Sequence, residues 1–151
     1  MWIRPLWVAS VLFCISSVAL STPEPTRSEY LLSTSASITF EEGVGAYYVM
    51  SFDVLKPPAD AIYVVVRYEN PEDRKAPLSD EVVIAPGANE LQLHSAGFKV
   101  LRNRAEYRVE LSLYADSGHS QLLGTHVQNV EFNVPRDMAA FIAKRYGVRV
   151  R

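Results

Sequence analysis

From residue 37 onward, apolar and polar side chains alternate in short runs, and each run ends on turn-forming residues. Period two marks a strand with one buried face. Ser37 to Glu41 alternates around Ile38 and Phe40, and Gly43 with Gly45 allows a tight reversal. Ala46 to Leu55 sets Tyr48, Met50, Phe52 and Val54 on one face. Pro57-Pro58-Ala59-Asp60 forces a connection, because proline cannot donate to a ladder. Ala61 to Glu69 carries Ile62, Val64, Val66 and Tyr68 on one side and Tyr63 and Val65 on the other. Such a strand is expected at the centre of a sheet, covered on both faces. Glu81 to Ala85 follows a polar loop. Glu90 to His94 and Phe98 to Leu101 read as one strand broken at Gly97.

The clearest alternation is Ala105 to Ala115, with Tyr107, Val109, Leu111 and Leu113 on one face. Asp116 to Ser120 is a hairpin loop, and Gln121 to Val134 pairs back. The apolar phase of that last run shifts between Val127 and Val130, which predicts a β-bulge near Gln128-Asn129. About seven strands with turns every 8–12 residues predict an all-β fold, an antiparallel two-sheet sandwich, with a barrel as the competing architecture.

Both ends of the chain depart from this rhythm. Residues 1–21 combine Arg4 with a charge-free run from Leu6 to Leu20, and Ala19-Leu20-Ser21 offers small residues before a cut. This is the layout of a secretory signal peptide cleaved after Ser21. The run falls short of the roughly 20 residues a spanning helix needs. The single cysteine, Cys14, would leave with it, so the mature chain has neither a disulfide framework nor a cysteine-based metal site. Residues 22–35 are rich in Ser, Thr and Pro and read as a flexible leader. At the other end, Pro135 stops the last strand. Arg136 to Tyr146 reads as a helix closed by Gly147, with Met138, Phe141 and Ile142 on one apolar face.

Leu101-x5-Tyr107-x-Val109-x-Leu111 resembles the tyrosine corner of fibronectin type III and other immunoglobulin-like domains. The resemblance implies that Tyr107 hydrogen-bonds back to the preceding loop and that Leu101 packs beneath it. It also implies roles in adhesion, assembly or carbohydrate binding more often than in catalysis. The sequence departs from that pattern at two points. Trp2 and Trp7 both lie in the first segment, so the buried tryptophan of an early strand is missing, and so is the inter-sheet cysteine pair.

Charge changes the picture at the C-terminus. Residues 22–135 hold nine Lys and Arg against sixteen Asp and Glu, whereas residues 136–151 hold five cations against Asp137 alone. An overall net charge of −2 disfavours a nucleic-acid partner. A basic, amphipathic tail suits a partner's groove or a peripheral membrane contact, through Arg136, Met138, Phe141, Ile142, Lys144 and Arg145.

Catalytic and metal chemistry find little footing. His94, His119 and His126 are far apart in sequence, no HExxH is present, and no Gly-x-Ser-x-Gly elbow occurs. Carboxylates gather at Glu41-Glu42 and around Glu72, Asp73, Asp80 and Glu81, where a small hydrolase would have to place its acid groups. Neither a metal nor a cofactor is expected. Tyr47 and Tyr114 stand on the polar faces of their strands, where a ring with a hydroxyl suits a sugar. The sequence thus predicts an exported, periplasmic or secreted, non-enzymatic binding or assembly module of the bacterial envelope, acting on an envelope protein. The competing reading is a sugar-binding sandwich that uses exposed tyrosines.

Overall fold

The computed structural model describes residues 26–151. The expected signal peptide, with Cys14 and the expected cut after Ser21, lies outside the described residues. Two antiparallel sheets form the body. The first is built from β1 (Leu31–Glu41), β2 (Gly45–Val54) and β5 (Glu90–His94), in the order β1-β2-β5. The second holds β3 (Ile62–Tyr68), β4 (Leu78–Ile84), β7 (Ala105–Tyr114) and β8 (Leu122–Phe132), in the order β4-β3-β7-β8. Short β6 (Val100–Leu101) pairs in parallel with β9 (Arg149–Val150), after helix α1 (Arg136–Tyr146). The fold is thus an all-β sandwich with one short C-terminal helix.

The alternation read from the sequence becomes the core. Tyr48, Met50 and Phe52 of one sheet face Val64, Val66, Tyr68, Val109, Leu111 and Leu113 of the other, all buried. Tyr48 stacks on Tyr68 at 5.4 Å between ring centroids and meets Tyr107 edge-on at 6.3 Å. Burying such rings is worth about 1.5–3 kcal/mol each, and residues 26–151 hold no cysteine with which to supplement it. Gly45, at φ 108°, makes the β1–β2 reversal, and a Cβ there would sit 2.6 Å from the Phe98 carbonyl oxygen. Only glycine fits both the conformation and the space.

Four expectations need correction. The first strand begins at Leu31 rather than Ser37, so residues 31–35 of the expected leader are sheet. Leu31 and Ser33 point into the core, and Ser33 N–H donates to Thr26 O at 2.9 Å. Serine and threonine between them disguised the strand. The expected broken strand divides between two sheets: β5 pairs with β2, Phe98 bridges only Ala46, and Val100–Leu101 turn away to meet the C-terminal strand. Val148 to Arg151 therefore ends the chain against the body, where no strand was expected.

No register slip occurs at Gln128-Asn129. The irregularity lies at the other end of β8, where Leu113 pairs with Gly124 and Tyr114 with Leu122. The apparent phase shift has a different cause: His126 and Gln128 occupy inward positions, buried like Val130 and Phe132. Finally, β3 is central, between β4 and β7, but its outer face is only half covered at Tyr63 and Val65 and exposed at Arg67.

Candidate functional site

Tyr107 makes the hydrogen bonds back to the preceding loop that the resemblance implies. Leu101 is fully buried. The Tyr107 hydroxyl accepts from Arg102 N–H at 2.7 Å and donates to the Arg102 carbonyl at 3.3 Å. Burial raises the Tyr107 phenol and pushes that of Tyr48 well above its ordinary range, so both stay protonated and able to donate. Tyr48 uses its hydroxyl to hold the Glu69 carbonyl at 2.8 Å, fixing the end of β3.

The two surface tyrosines do not share a site. Tyr47 lies on the outer face of the three-stranded sheet, stacked on His94 at 6.2 Å. Tyr114 lies on the outer face of the other sheet, paired with Tyr63 in register and 4.9 Å from the His119 ring. Since the sheets face each other, these outer faces are opposite sides of the molecule.

The three histidines are equally scattered, and among the described residues no three metal-ligating side chains gather. His126 is the one in the core. Its Nδ1 lies 3.0 Å from Ser28 Oγ, its ring meets Phe52 edge-on at 5.2 Å, and its Nε2 has no protein partner among the described residues. Burial holds its pKa below the ordinary value. Gln128 Oε1, two residues along the same face, is also without a protein partner. The sequence gives no sign that either residue is buried, because polar side chains on a strand are assigned outward by default.

The acidic positions serve the local backbone. Glu72 accepts from Lys99 N–H, Asp73 from Lys75 N–H, and Asp80 from Glu81 N–H. In the β7–β8 hairpin, Asp116 accepts from Ser120 N–H, Gln121 N–H and the Ser120 hydroxyl, which holds its carboxyl below the usual range. Ser120 is thereby committed to the loop.

Helix α1 divides its apolar residues. Ile142 is buried against the sandwich, and Tyr146 stacks on Phe40 at 5.5 Å. Met138 and Phe141 instead stand 46% and 54% exposed. The seating face runs through Ile142 and Tyr146, which turns Met138 and Phe141 outward. This corrects the expected single apolar face. Gly147, at φ 68°, closes the helix and donates its N–H to Ala143 O. Lys144 and Arg145 sit in the last turn, Arg136 at the start, and Arg145 pairs with Glu42 at 3.1 Å. Phe141, Lys144, Arg145 and Glu42 line a recess of about 370 Å³. No protein-family model matches this chain, and no curated protein matches it.

Proposed function

We propose that this chain is an exported binding module that works without catalysis, docking an acidic partner protein through helix α1. The observation that carries the reading is the exposure of Met138 and Phe141 on a helix already seated by Ile142. Isolated large apolar side chains are ordinary on a surface. Two of them one turn apart, next to Lys144 and with Arg136 at the helix start, make an anchor with a cationic surround. The complementary surface is an apolar recess with an acidic rim. A protein is favoured over an anionic membrane because Phe141 borders a recess whose wall holds Glu42 as well as Lys144 and Arg145, a fixed mixed-charge pattern that a folded partner can match and a uniformly anionic lipid surface cannot. The strand order, three plus four, is similar to that of fibronectin type III domains, and the corner at Tyr107 adds to the likeness. Many domains of that architecture act by adhesion or assembly, which supports a binding role. So does the commitment of Glu72, Asp73 and Asp80 to backbone N–H groups.

The test is a photo-crosslinking residue at position 141 in intact cells, followed by mass spectrometry of the adduct. One defined acidic protein is expected, and Met138→Ser with Phe141→Ser should weaken its capture about tenfold or more. Both side chains are exposed, so the variant should keep its melting temperature. A partner captured equally well by that variant, or sedimentation with anionic vesicles in place of a protein adduct, overturns the reading.

A further inference from the structure

The outer face of the four-stranded sheet carries a second feature, independent of helix α1. The register of β3 on β7 sets outward residues in line: Tyr63 beside Tyr114, Val65 beside Ser112, and Arg67 beside Glu110. One step beyond, Glu69 donates its N–H to the Arg108 carbonyl. Val83 of β4 lies beside Tyr63 and is 54% exposed. The face is therefore aromatic and apolar at one end and charged at the other, with about 13 Å from Tyr63 to Arg67 at ordinary strand rise.

The charged end is a groove of about 420 Å³ lined by Arg67, Glu69, Arg74, Pro77, Arg108 and Glu110. Three of the nine cations of residues 26–135 converge there, on a body that carries fifteen acidic residues. Its two carboxylates are already engaged. Glu69 forms an ion pair with Arg74 Nε at 2.9 Å and accepts from Arg108 N–H at 3.1 Å, and Glu110 accepts from Arg108 Nε at 2.6 Å. Both arginines meet their carboxylates through Nε, and their terminal amino groups make no hydrogen bond among the described residues. Arg67 has no carboxylate within 4 Å among the described residues. The position of Glu69 is itself fixed from the core, by the Tyr48 hydroxyl on its carbonyl. The loop wall is held by Asn70, which donates to Ala76 O at 2.9 Å and accepts from Glu72 N–H at 3.0 Å. The groove therefore presents guanidinium donors, on a rigid floor, to an anion.

We propose that this face binds an acidic oligosaccharide. A carboxylate-bearing sugar sits on Arg67 with the amino groups of Arg74 and Arg108, and a later ring of the same chain lies against Tyr63 and Tyr114. The carboxylate supplies a third anion to a groove that gathers three guanidinium groups around two carboxylates. The distance between the two ends calls for a short chain rather than a single sugar, and the two half-buried rings with exposed Val83 beside them give a later ring an apolar surface to lie on.

The experiment titrates the mature full-length chain with trigalacturonate, with maltotriose as the neutral control and inorganic phosphate as the bare anion. Amide shifts report the site and calorimetry the affinity. Trigalacturonate should shift residues at both ends of the face and bind far better than maltotriose. Arg67→Ala should weaken it about ten- to a hundredfold, the worth of one charge-assisted contact. Tyr114→Ala should also weaken it. In case that half-buried ring is needed for folding, Val83→Glu offers an exposed change that sets a repelling charge at the apolar end. Met138→Ser with Phe141→Ser should leave the titration unchanged, so the fates of this site and of the helix are read separately. No binding of trigalacturonate overturns the proposal. So does binding that ignores Arg67→Ala. Phosphate bound as tightly, with neither Tyr114→Ala nor Val83→Glu affecting trigalacturonate, reduces the groove to an anion site and overturns it as well.

Discussion

At the scale of single residues, the polar groups inside the sandwich are the most informative. Tyr107 closes two hydrogen bonds on one residue, Arg102, and both partners belong to a backbone turn that has no ladder of its own. Tyr107→Phe keeps the ring in the core and removes only those bonds. The expected loss is about 1–2 kcal/mol, read as a lower urea midpoint with an unchanged slope. His126 behaves in the opposite sense, as a buried group short of partners. Burial lowers its pKa, so the folded protein prefers the neutral ring. As pH falls through about 6.5, the ordinary value, the unfolded chain takes up the proton first. Stability attributable to His126 is therefore full above that pH and declines below it until the folded value is passed. Urea midpoints measured between pH 8 and pH 5 should show this decline, and His126→Gln should flatten it. An unchanged slope in the variant would place the effect elsewhere.

At the scale of elements, two glycines separate conformation from space. A Cβ at Gly147 would meet nothing within 4 Å, so Gly147→Ala costs only the left-handed backbone, about 1–2 kcal/mol. Gly45→Ala adds a backbone clash at 2.6 Å to an equally unfavourable φ, and the Phe98 carbonyl cannot yield without breaking its bond from Ala46 N–H. Its cost should exceed that of Gly147→Ala by about 1 kcal/mol or more. Thermal unfolding of the two variants side by side checks the order. The elements themselves were legible where alternation was clean, as in β2, β3 and β7. Alternation failed in β1 and β8, where Ser33, His126 and Gln128 hold inward positions that hydropathy assigns to solvent. No local signal could pair Val100–Leu101 with Arg149–Val150, because that contact joins segments about fifty residues apart.

At the scale of the whole molecule, charge is segregated while the core is neutral. Residues 26–135 are acidic and residues 136–151 basic. The ion pairs Lys56–Glu29, Arg74–Glu69, Arg108–Glu110 and Arg145–Glu42 are all largely exposed on at least one side, and such pairs contribute about 0–1 kcal/mol each. Salt should therefore act on association far more than on folding. Raising sodium chloride from about 0.05 M to about 0.5 M shortens the screening length several-fold. The melting temperature should hold nearly constant while partner capture through helix α1 weakens. Capture that is indifferent to salt would leave the cationic surround of Phe141 without a role.

The candidate sites divide along the same line. Tyr114, Phe141 and Lys144 could be picked out one at a time, because an aromatic on a polar strand face or a cation in a last helical turn is a property of local order. The groove could not. Arg67, Arg74 and Arg108 come from a strand, a loop and a second strand, and only the register of β3 on β7 sets them together. Local patterning by itself determined that this chain forms strands, which faces of them are greasy, and where a helix ends at Gly147, since each of these depends on neighbours a few residues away. Which strands pair, that Tyr47 and Tyr114 stand on opposite sides, that His126 is buried, and that Arg67 joins Arg74 and Arg108 in one groove were decided by tertiary structure alone. Those facts arise from packing between residues remote in the chain, and the energy of a side chain there depends on what is brought against it rather than on what precedes it.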